Sequence, residues 1–353
     1  MKYPELIYFG SIAENLAQFD CIIDVRSPAE FAEDHIPGAI NCPVLSNEER
    51  IQVGTMYKQV GSFEAKRLGA GLVAMNIGRH LATQFQQQGK SWRPLIYCWR
   101  GGNRSGSMAF IFSKIGWPVA QLQGGYKAYR QHVNLSISEL ANAAQWKVLC
   151  GTTGSGKSRL LNTLTSLGEQ VLDLEQLAQH RGSVLGDIPT EKQPSQKMFE
   201  SRIWNVLKNA DHERTIYVEA ESKKVGNLRV PETIMSKIRE SPCISISMPM
   251  SERVNLLMED YAHFVQDPQQ LNQQLNFLSH LHGNEKINFW KKQALDGNIA
   301  NVVQSLLEEH YDPAYTKSIA RNFSKFNQAQ QISQASLSNA DFELSAKKII
   351  SHG

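Results

Sequence analysis

The 353-residue chain has no apolar run long enough to cross a bilayer. Its opening residues, Met1-Lys2-Tyr3-Pro4-Glu5, lack the apolar core of a signal peptide. No membrane partner is expected. Cysteine is sparse: Cys21, Cys42, Cys98, Cys150 and Cys243 stand singly. None has the paired spacing of a zinc site, and an odd number argues against a disulfide framework. A reducing, cytoplasmic setting follows, in which a lone reactive thiol survives. Neither sign of charge dominates: 37 Lys and Arg against 34 Asp and Glu give a formal net charge of +3. That balance permits a nucleic-acid partner without arguing for one. Internal repeats and long low-complexity tracts are also absent.

What is present is an alternation of short apolar runs with helical patterns, which predicts parallel α/β sheets. The length exceeds one ordinary core, so two domains are expected. The first spans residues 1–130. Cys21-Ile22-Ile23-Asp24-Val25 reads as a buried strand, followed by a helix capped by Ser27 with Pro28 at its first position. A turn at His35-Ile36-Pro37-Gly38 leads into another short strand. Residues 48–89 read as helical, with breaks at Gly61 and Gly69-Ala70-Gly71. Leu95-Ile96-Tyr97 and Val119-Ala120-Gln121-Leu122 are further strands. The polar stretch 131–145 is the linker candidate. A second α/β domain, 146–320, starts at Trp146-Lys147-Val148-Leu149-Cys150. Its later strands are expected at 170–174, 215–218 and 244–248, and the chain reads as helical from Glu252. Residues 321–353 form a helical tail.

Two loops carry chemistry. The first is Cys98-Trp99-Arg100-Gly101-Gly102-Asn103-Arg104-Ser105, between a buried strand and an apolar helix. Backbone N–H groups and a helix N-terminus converge there, favouring both a thiolate and a bound anion. Gly101 and Gly102 allow a tight turn around an oxyanion, and Arg104 offers a forked pair of hydrogen bonds. Arg100 either does the same or faces solvent. The second loop, Gly151-Thr152-Thr153-Gly154-Ser155-Gly156-Lys157-Ser158, matches G-x-x-x-x-G-K-[ST] in full, after a strand and before a helix. Its backbone, with Gly151, Gly154, Ser155 and Gly156, would wrap a diphosphate. Lys157 would reach the outer phosphates and Ser158 would bind Mg²⁺. Asp173 and Glu219, each at the end of an expected strand, are candidates for a further metal carboxylate. Arg181, Lys223, Lys224, Arg229 and Arg253 are candidate contacts to a polyanion such as RNA.

The first loop has a companion. Asp24-Val25-Arg26-Ser27-Pro28-Ala29-Glu30-Phe31 and His35-Ile36-Pro37-Gly38-Ala39-Ile40-Asn41 resemble the first signature of rhodanese domains, and Gly124-Gly125-Tyr126 completes the set. Such domains carry sulfur or selenium on the loop cysteine, and their counterpart of Arg26 is more often structural than catalytic. C-x5-R also describes cysteine-dependent phosphatases, a branch of which shares the rhodanese fold. Here Tyr97 stands where those usually have histidine. A rhodanese-type sulfurtransferase or a phosphatase fused to a nucleotide-binding domain is the alternative reading.

A rhodanese-like parallel-sheet domain followed by a P-loop NTPase-like α/β domain with a helical extension resembles the bacterial tRNA 2-selenouridine synthases. Gly54-Thr55-Met56-Tyr57-Lys58-Gln59, Leu172-Asp173-Leu174-Glu175, His180-Arg181-Gly182-Ser183, Gln193-Pro194-Ser195-Gln196 and Tyr311-Asp312-Pro313-Ala314-Tyr315 extend the likeness. The resemblance implies a transferase acting on tRNA with 2-thiouridine at the wobble position. The sulfur is first alkylated by geranyl diphosphate, and the S-geranyl group is then replaced by selenium from selenophosphate. It further implies an S-selanylcysteine intermediate on Cys98, transient contact with a selenophosphate-producing enzyme, Mg²⁺, and no prosthetic group.

Overall fold

The computed structural model describes residues 3–183, 186 and 191–351. They fall into two compact units: Met1–Ile137 with Pro194–Lys208, and Ser138–Gln193 with Asn209–Gly353.

In the first unit, β1 (Glu5–Tyr8), β2 (Cys21–Asp24), β3 (Ala39–Asn41), β4 (Pro94–Tyr97) and β5 (Ala120–Gln123) pair in the order β1-β5-β4-β2-β3, all parallel. β4 is buried along its whole length, which its unbroken apolar run requires of a strand covered on both faces. β1 was not expected. Only one of its four residues is buried, so this edge strand carries no apolar alternation to read. The helix Pro28–Glu33 begins as expected, with Pro28 in its first turn and the Glu30 carboxylate accepting from the Ser27 N–H at 3.0 Å. The long helical stretch is two helices, Asn47–Gln59 and Ser62–Thr83, broken at Gly61. No break occurs at Gly69-Ala70-Gly71. A Cβ on Gly69 would stand 3.4 Å from Val53, so that glycine serves the close packing of the two helices. Ile23, Val25, Ile96, Met108, Phe112 and Trp117 lie in the shared core.

The segment expected as a linker, 131–145, is instead the second half of the helix Gly125–Ala143 and the start of the next strand. Its polar composition hides one narrow apolar stripe: Val133, Ile137 and Ala141 are buried and continue, at helical spacing, the buried Tyr126 and Tyr129 of the same helix. The first unit also takes a helix from far along the chain, Gln196–Lys208. Its fully buried Trp204 meets Tyr129 edge-on at 5.7 Å and lies 5.9 Å from Phe9. No local signal announces this excursion, because the apolar face of a helix does not say which sheet it covers.

In the second unit, β6 (Gln145–Cys150), β7 (Gln170–Leu172), β8 (Thr215–Glu219), β11 (Cys243–Ser247) and β12 (Gln330–Ser333) form a parallel sheet in the order β12-β11-β6-β8-β7. A small hairpin, β9 (Lys224–Val225) with β10 (Leu228–Arg229), lies between β8 and β11 in the chain. From Met250 to Asn322 the chain is nearly all helical. The tail is not an appendage. Its β12 extends the sheet, and Phe342, Ala346 and Ile349 of the helix Asn339–Ser351 are buried with Leu160, Leu161 and Leu164 behind the phosphate loop. No helix among the described residues is long and apolar enough to cross a membrane.

Because Phe342 is 3% exposed within that core, Phe342→Ala is expected to lower stability by about 3–5 kcal/mol, read by chemical denaturation. A loss below ~0.5 kcal/mol, the range of a surface change, would show the tail to be dispensable.

Candidate functional site

Cys98 stands one residue beyond β4, at the carboxyl end of a parallel sheet, where open α/β folds place ligands. It is 4% exposed. The Ser105 hydroxyl, in the first turn of the helix Asn103–Ile115, donates to its sulfur at 3.2 Å. Gln121 on β5 braces the loop, with Nε2 donating to the Gly101 carbonyl at 2.8 Å and to Ser105 Oγ at 3.2 Å. The N–H groups of Tyr126 and Lys127 hold the Cys98 and Trp99 carbonyls at 2.8 and 3.0 Å.

Glycine makes this possible at two points. A Cβ on Gly125 would stand 2.1 Å from the Cys98 carbonyl oxygen, and one on Gly101 would stand 2.3 Å from that of Leu122. Both residues have positive φ, +57° and +64°, which L side chains rarely adopt. Gly102 differs: space around it is open, and it is the N-cap of the helix.

The two arginines of the loop have different tasks. Arg104 is turned onto Glu30, with NH1 and NH2 donating to the two carboxylate oxygens at 2.7 and 3.1 Å. Burial alone would raise the Glu30 carboxyl, but the Arg104 contact outweighs it and holds the carboxyl below its ordinary value. The fork expected to bind an anion therefore ties the loop helix to the capped helix Pro28–Glu33. Arg100 is exposed and forms no ion pair among the described residues, which leaves it as the cation open to a ligand. Arg26 is structural. It is 1% exposed, pairs with Asp24 at 2.6 Å and donates to the Asp34 carbonyl at 2.6 Å. Its guanidinium carbon lies 4.0 Å from the centre of the Tyr126 ring.

In the second unit the phosphate loop joins β6 to the helix Lys157–Ser166. Gly154 and Gly156 have φ of +77° and +82°. A Cβ on Gly151 would stand 2.4 Å from Ser155 Oγ, and one on Gly156 would stand 2.9 Å from the Phe342 ring. The Tyr315 hydroxyl accepts from the Gly151 N–H at 2.5 Å. Arg253 clamps the loop from below, donating to the Thr153 carbonyl at 2.9 and 2.8 Å while its guanidinium pairs with Asp312. Lys157 Nζ is folded back on the loop, 2.6 Å from the Gly151 carbonyl, at the place where an outer phosphate would compete for it.

The metal side departs from expectation. The carboxylate next to Ser158 is Glu175, whose Oε2 accepts from the hydroxyl at 3.2 Å. Asp173 instead caps the helix Leu174–Ala178, accepting from the Gln176 N–H at 2.7 Å. Glu219 is 2% exposed and accepts from the Glu175 N–H at 2.9 Å. These two candidates thus position Glu175. Glu221 is the fourth member. Burial, reinforced by the charge of Glu221 and opposed by Lys157, pushes Glu175 up to about 8. Burial also pushes Asp173 up to about 6 and raises Glu219 and Glu221. Glu219 Oε2 has no hydrogen-bond partner among the described residues.

Crowded carboxylates of this kind suit a divalent cation, which relieves their repulsion. Among the described residues no group of three or more His, Cys, Asp or Glu forms a metal cage. That is compatible with Mg²⁺, which is held by one or two protein oxygens together with ligand phosphates. Ser158 and Glu175 fit the role. Glu175 and Glu221 were missed in the sequence, although the pairs Asp173-Leu174-Glu175 and Glu219-Ala220-Glu221 repeat the same spacing after two neighbouring strands. Among the basic candidates, Arg253 is a buried clamp and Arg181 lies 4.8 Å from the Tyr261 ring centre. Lys223, Lys224 and Arg229 are exposed.

The rhodanese-like domain model matches residues 10–132, and the model described as the tRNA 2-selenouridine synthase AAA domain matches residues 144–288. A tRNA 2-selenouridine synthase from Nitrosomonas europaea is 37% identical over 246 residues, 68% of this chain and 63% of its own length. One from Marinobacter nauticus is 33% identical over 330 residues, covering 83% of this chain and 87% of its own. A solved rhodanese-related protein from Thermoplasma volcanium is 18% identical, over 37% of this chain and 93% of its own, with a TM-score of 0.25.

The thiolate is the reactive form of cysteine, and a hydrogen bond to a charged group contributes ~1.5–3 kcal/mol. Ser105→Ala is therefore expected to slow alkylation of Cys98 by about tenfold, followed by mass spectrometry of the Cys98 peptide. An unchanged rate would show that the hydroxyl does not serve the thiolate.

Proposed function

The chain belongs to the tRNA 2-selenouridine synthase family, and on that premise we propose that it is a transferase converting wobble-position 2-thiouridine in tRNA to 2-selenouridine in two steps. In the first, the thiocarbonyl sulfur of the base attacks C1 of geranyl diphosphate. A C–S bond forms, the C–O bond breaks with its electron pair leaving on pyrophosphate, and the N3 proton of the base passes to solvent. In the second, the selenium of selenophosphate attacks C2, the C2–S bond breaks with its electron pair leaving on geranyl thiolate, and water then cleaves the P–Se bond to release phosphate. Alkylation supports the exchange because it turns C2 into an electrophile with a good leaving group.

The observation that carries this reading is the presence, in one chain, of a buried thiol held by Ser105 and a complete phosphate loop with a carboxylate beside its serine. The first suits a soft nucleophile and the second suits a diphosphate leaving group. In the phosphate loop, Lys157 and the backbone N–H groups would hold the diphosphate, with Ser158 and Glu175 on the metal side. Bound Mg²⁺ would neutralise charge on the departing pyrophosphate. In the thiol loop, Cys98 is the selenium-handling group, its thiol positioning selenophosphate for the exchange, and Arg100 is the cation available to selenophosphate. The pairing of Arg104 with Glu30 weighs against the phosphatase alternative, whose arginine must be open to the substrate phosphate.

Lys157→Ala is expected to reduce geranylation of 2-thiouridine tRNA by about 10²-fold, the scale of losing one preorganised charge-stabilising donor. The assay is mass spectrometry of tRNA nucleosides after incubation with geranyl diphosphate and no nucleotide. Full activity would overturn the assignment of the loop to geranyl diphosphate. Cys98→Ala is expected to abolish selenium incorporation while geranylation stays within about twofold of the parent. Equal loss of both activities in a folded variant would refute the division of labour.

A further inference from the structure

The chemistry of the two loops does not use the helical hairpin that joins β3 to β4, the helices Asn47–Gln59 and Ser62–Thr83. Its first helix has no fully buried residue, yet it carries the run Gly54-Thr55-Met56-Tyr57-Lys58-Gln59. Residues 50–67 hold four bases, Arg50, Lys58, Lys66 and Arg67, against one acid, Glu64, a formal charge of +3. The whole chain has the same net charge, so this stretch contains its entire excess of positive charge. All four bases are exposed. Glu64 is folded back on the turn between the helices, with Oε2 2.7 Å from where a Cβ on Gly61 would stand.

Arg50, Gly54 and Lys58 recur every four residues and share one side of the first helix, with Tyr57 next to them. That side lines an open groove of about 460 Å³. Glu30, of the helix Pro28–Glu33, also lines it, and its charge is already compensated by the fork of Arg104. Arg50 and Lys58 form no ion pair among the described residues, so the groove keeps two positive charges for a ligand. A Cβ on Gly54 would stand 3.1 Å from Arg50 NH1, so the glycine leaves room for the guanidinium along the helix. The groove adjoins the thiol loop. Arg104, which grips Glu30, and Ser105, which donates to the Cys98 sulfur, are consecutive residues. At the far end of the helix and just beyond it, Tyr57, Val60 and Phe63 are 59%, 67% and 68% exposed, a concentration of large apolar side chains in water that needs a reason.

Unpaired cations beside exposed aromatic rings suit single-stranded nucleic acid, whose phosphates follow the cations while its bases stack on the rings. The centre of a protein interface excludes charge, whereas here Lys58 stands between Tyr57 and Val60. Chemistry on a base also requires that base to be drawn out of its stack, and its neighbours must be held meanwhile. We propose that this hairpin is the tRNA-docking surface of the first unit, with Arg50 and Lys58 holding backbone phosphates beside the target uridine and Tyr57 stacking on an unpaired base. This rests on the reading of tRNA as the substrate.

The test measures binding of the full chain to fluorescent tRNA carrying 2-thiouridine at the wobble position, by anisotropy across a salt series. Arg50→Gln with Lys58→Gln is expected to raise Kd by about tenfold at about 0.15 M salt and to flatten the slope of log K against log salt by about 1.4, the release from two single-stranded phosphates. Tyr57→Ala is expected to raise Kd by at least about fivefold with the slope unchanged, and Tyr57→Phe to stay within about twofold of the parent, because stacking needs the ring and not the hydroxyl. Lys347→Gln, an exposed lysine of the helix Asn339–Ser351, is the control and is expected to stay within about twofold. Unchanged Kd and slope in the double variant overturn the docking surface while the tRNA reading stands. An equal loss in Lys347→Gln overturns it as well, by showing a response to net charge alone. Should the double variant not fold, Lys58→Gln by itself decides, with an expected slope change of about 0.7. If the variants bind tRNA as the parent does yet lose selenium incorporation, the hairpin meets a protein instead and the proposal fails. Failure of the parent to bind the tRNA overturns the tRNA reading itself.

Discussion

The close approach of Gly125 to the Cys98 carbonyl is the constraint on which the thiol loop depends. Only a residue without Cβ fits there, since an added carbon would lie 2.1 Å from that oxygen. Because Gly125 opens the helix Gly125–Ala143, its next N–H groups can hold the Cys98 and Trp99 carbonyls. The same helix carries Tyr126, whose hydroxyl donates to Asp34 at 2.8 Å and whose ring covers Arg26. One glycine thus links the Cys98 sulfur, a helix start and a buried charge pair. The phosphate loop is built on the same principle. Gly151 and Gly156 leave room for Ser155 and Phe342 where a side chain would collide.

Charge pairing then decides which ionisable groups remain for chemistry. Arg26, Arg104 and Arg253 are all consumed by carboxylates or carbonyls of the scaffold. Buried guanidinium groups need such partners, because leaving one unpaired carries several kcal/mol of desolvation. What remains at the two loops is Arg100 on one and Lys157 on the other. The carboxylates around Ser158 show the opposite condition. They are held close without enough positive charge, so burial and mutual repulsion raise them together. Such mutual repulsion is the condition that a neighbouring positive charge relieves.

Much of this was legible in the residues. The strands β2, β4, β6, β8 and β11 announce themselves as short apolar runs, and Ser27-Pro28 marks a helix start through local hydrogen bonding alone. Both loops are contiguous motifs, so their existence needed no three-dimensional information. The tail and the segment 131–145 differ from expectation for one physical reason: a polar average conceals the few core residues each buries, Val133, Ile137 and Ala141 in the segment and Phe323, Ile332, Phe342, Ala346 and Ile349 in the tail. The helix Gln196–Lys208 was placed in the wrong unit because a covering helix is defined by what it covers. Glu175 was overlooked in favour of Asp173, two residues earlier, because spacing along a strand end does not say which carboxylate faces the serine.

The sequence by itself determined the two parallel α/β domains, the position of the cysteine loop and of the glycine-rich loop, and through many dispersed short motifs the family. These are properties of local pattern: apolar periodicity, glycine placement and the order of a few side chains. Only the tertiary structure decided that Arg104 belongs to Glu30, that Glu175 stands by Ser158, and that Glu30 and Lys58 line one groove. Each of these joins residues far apart in the chain. Which of several eligible partners meets a given side chain is set by packing, and no local pattern encodes it.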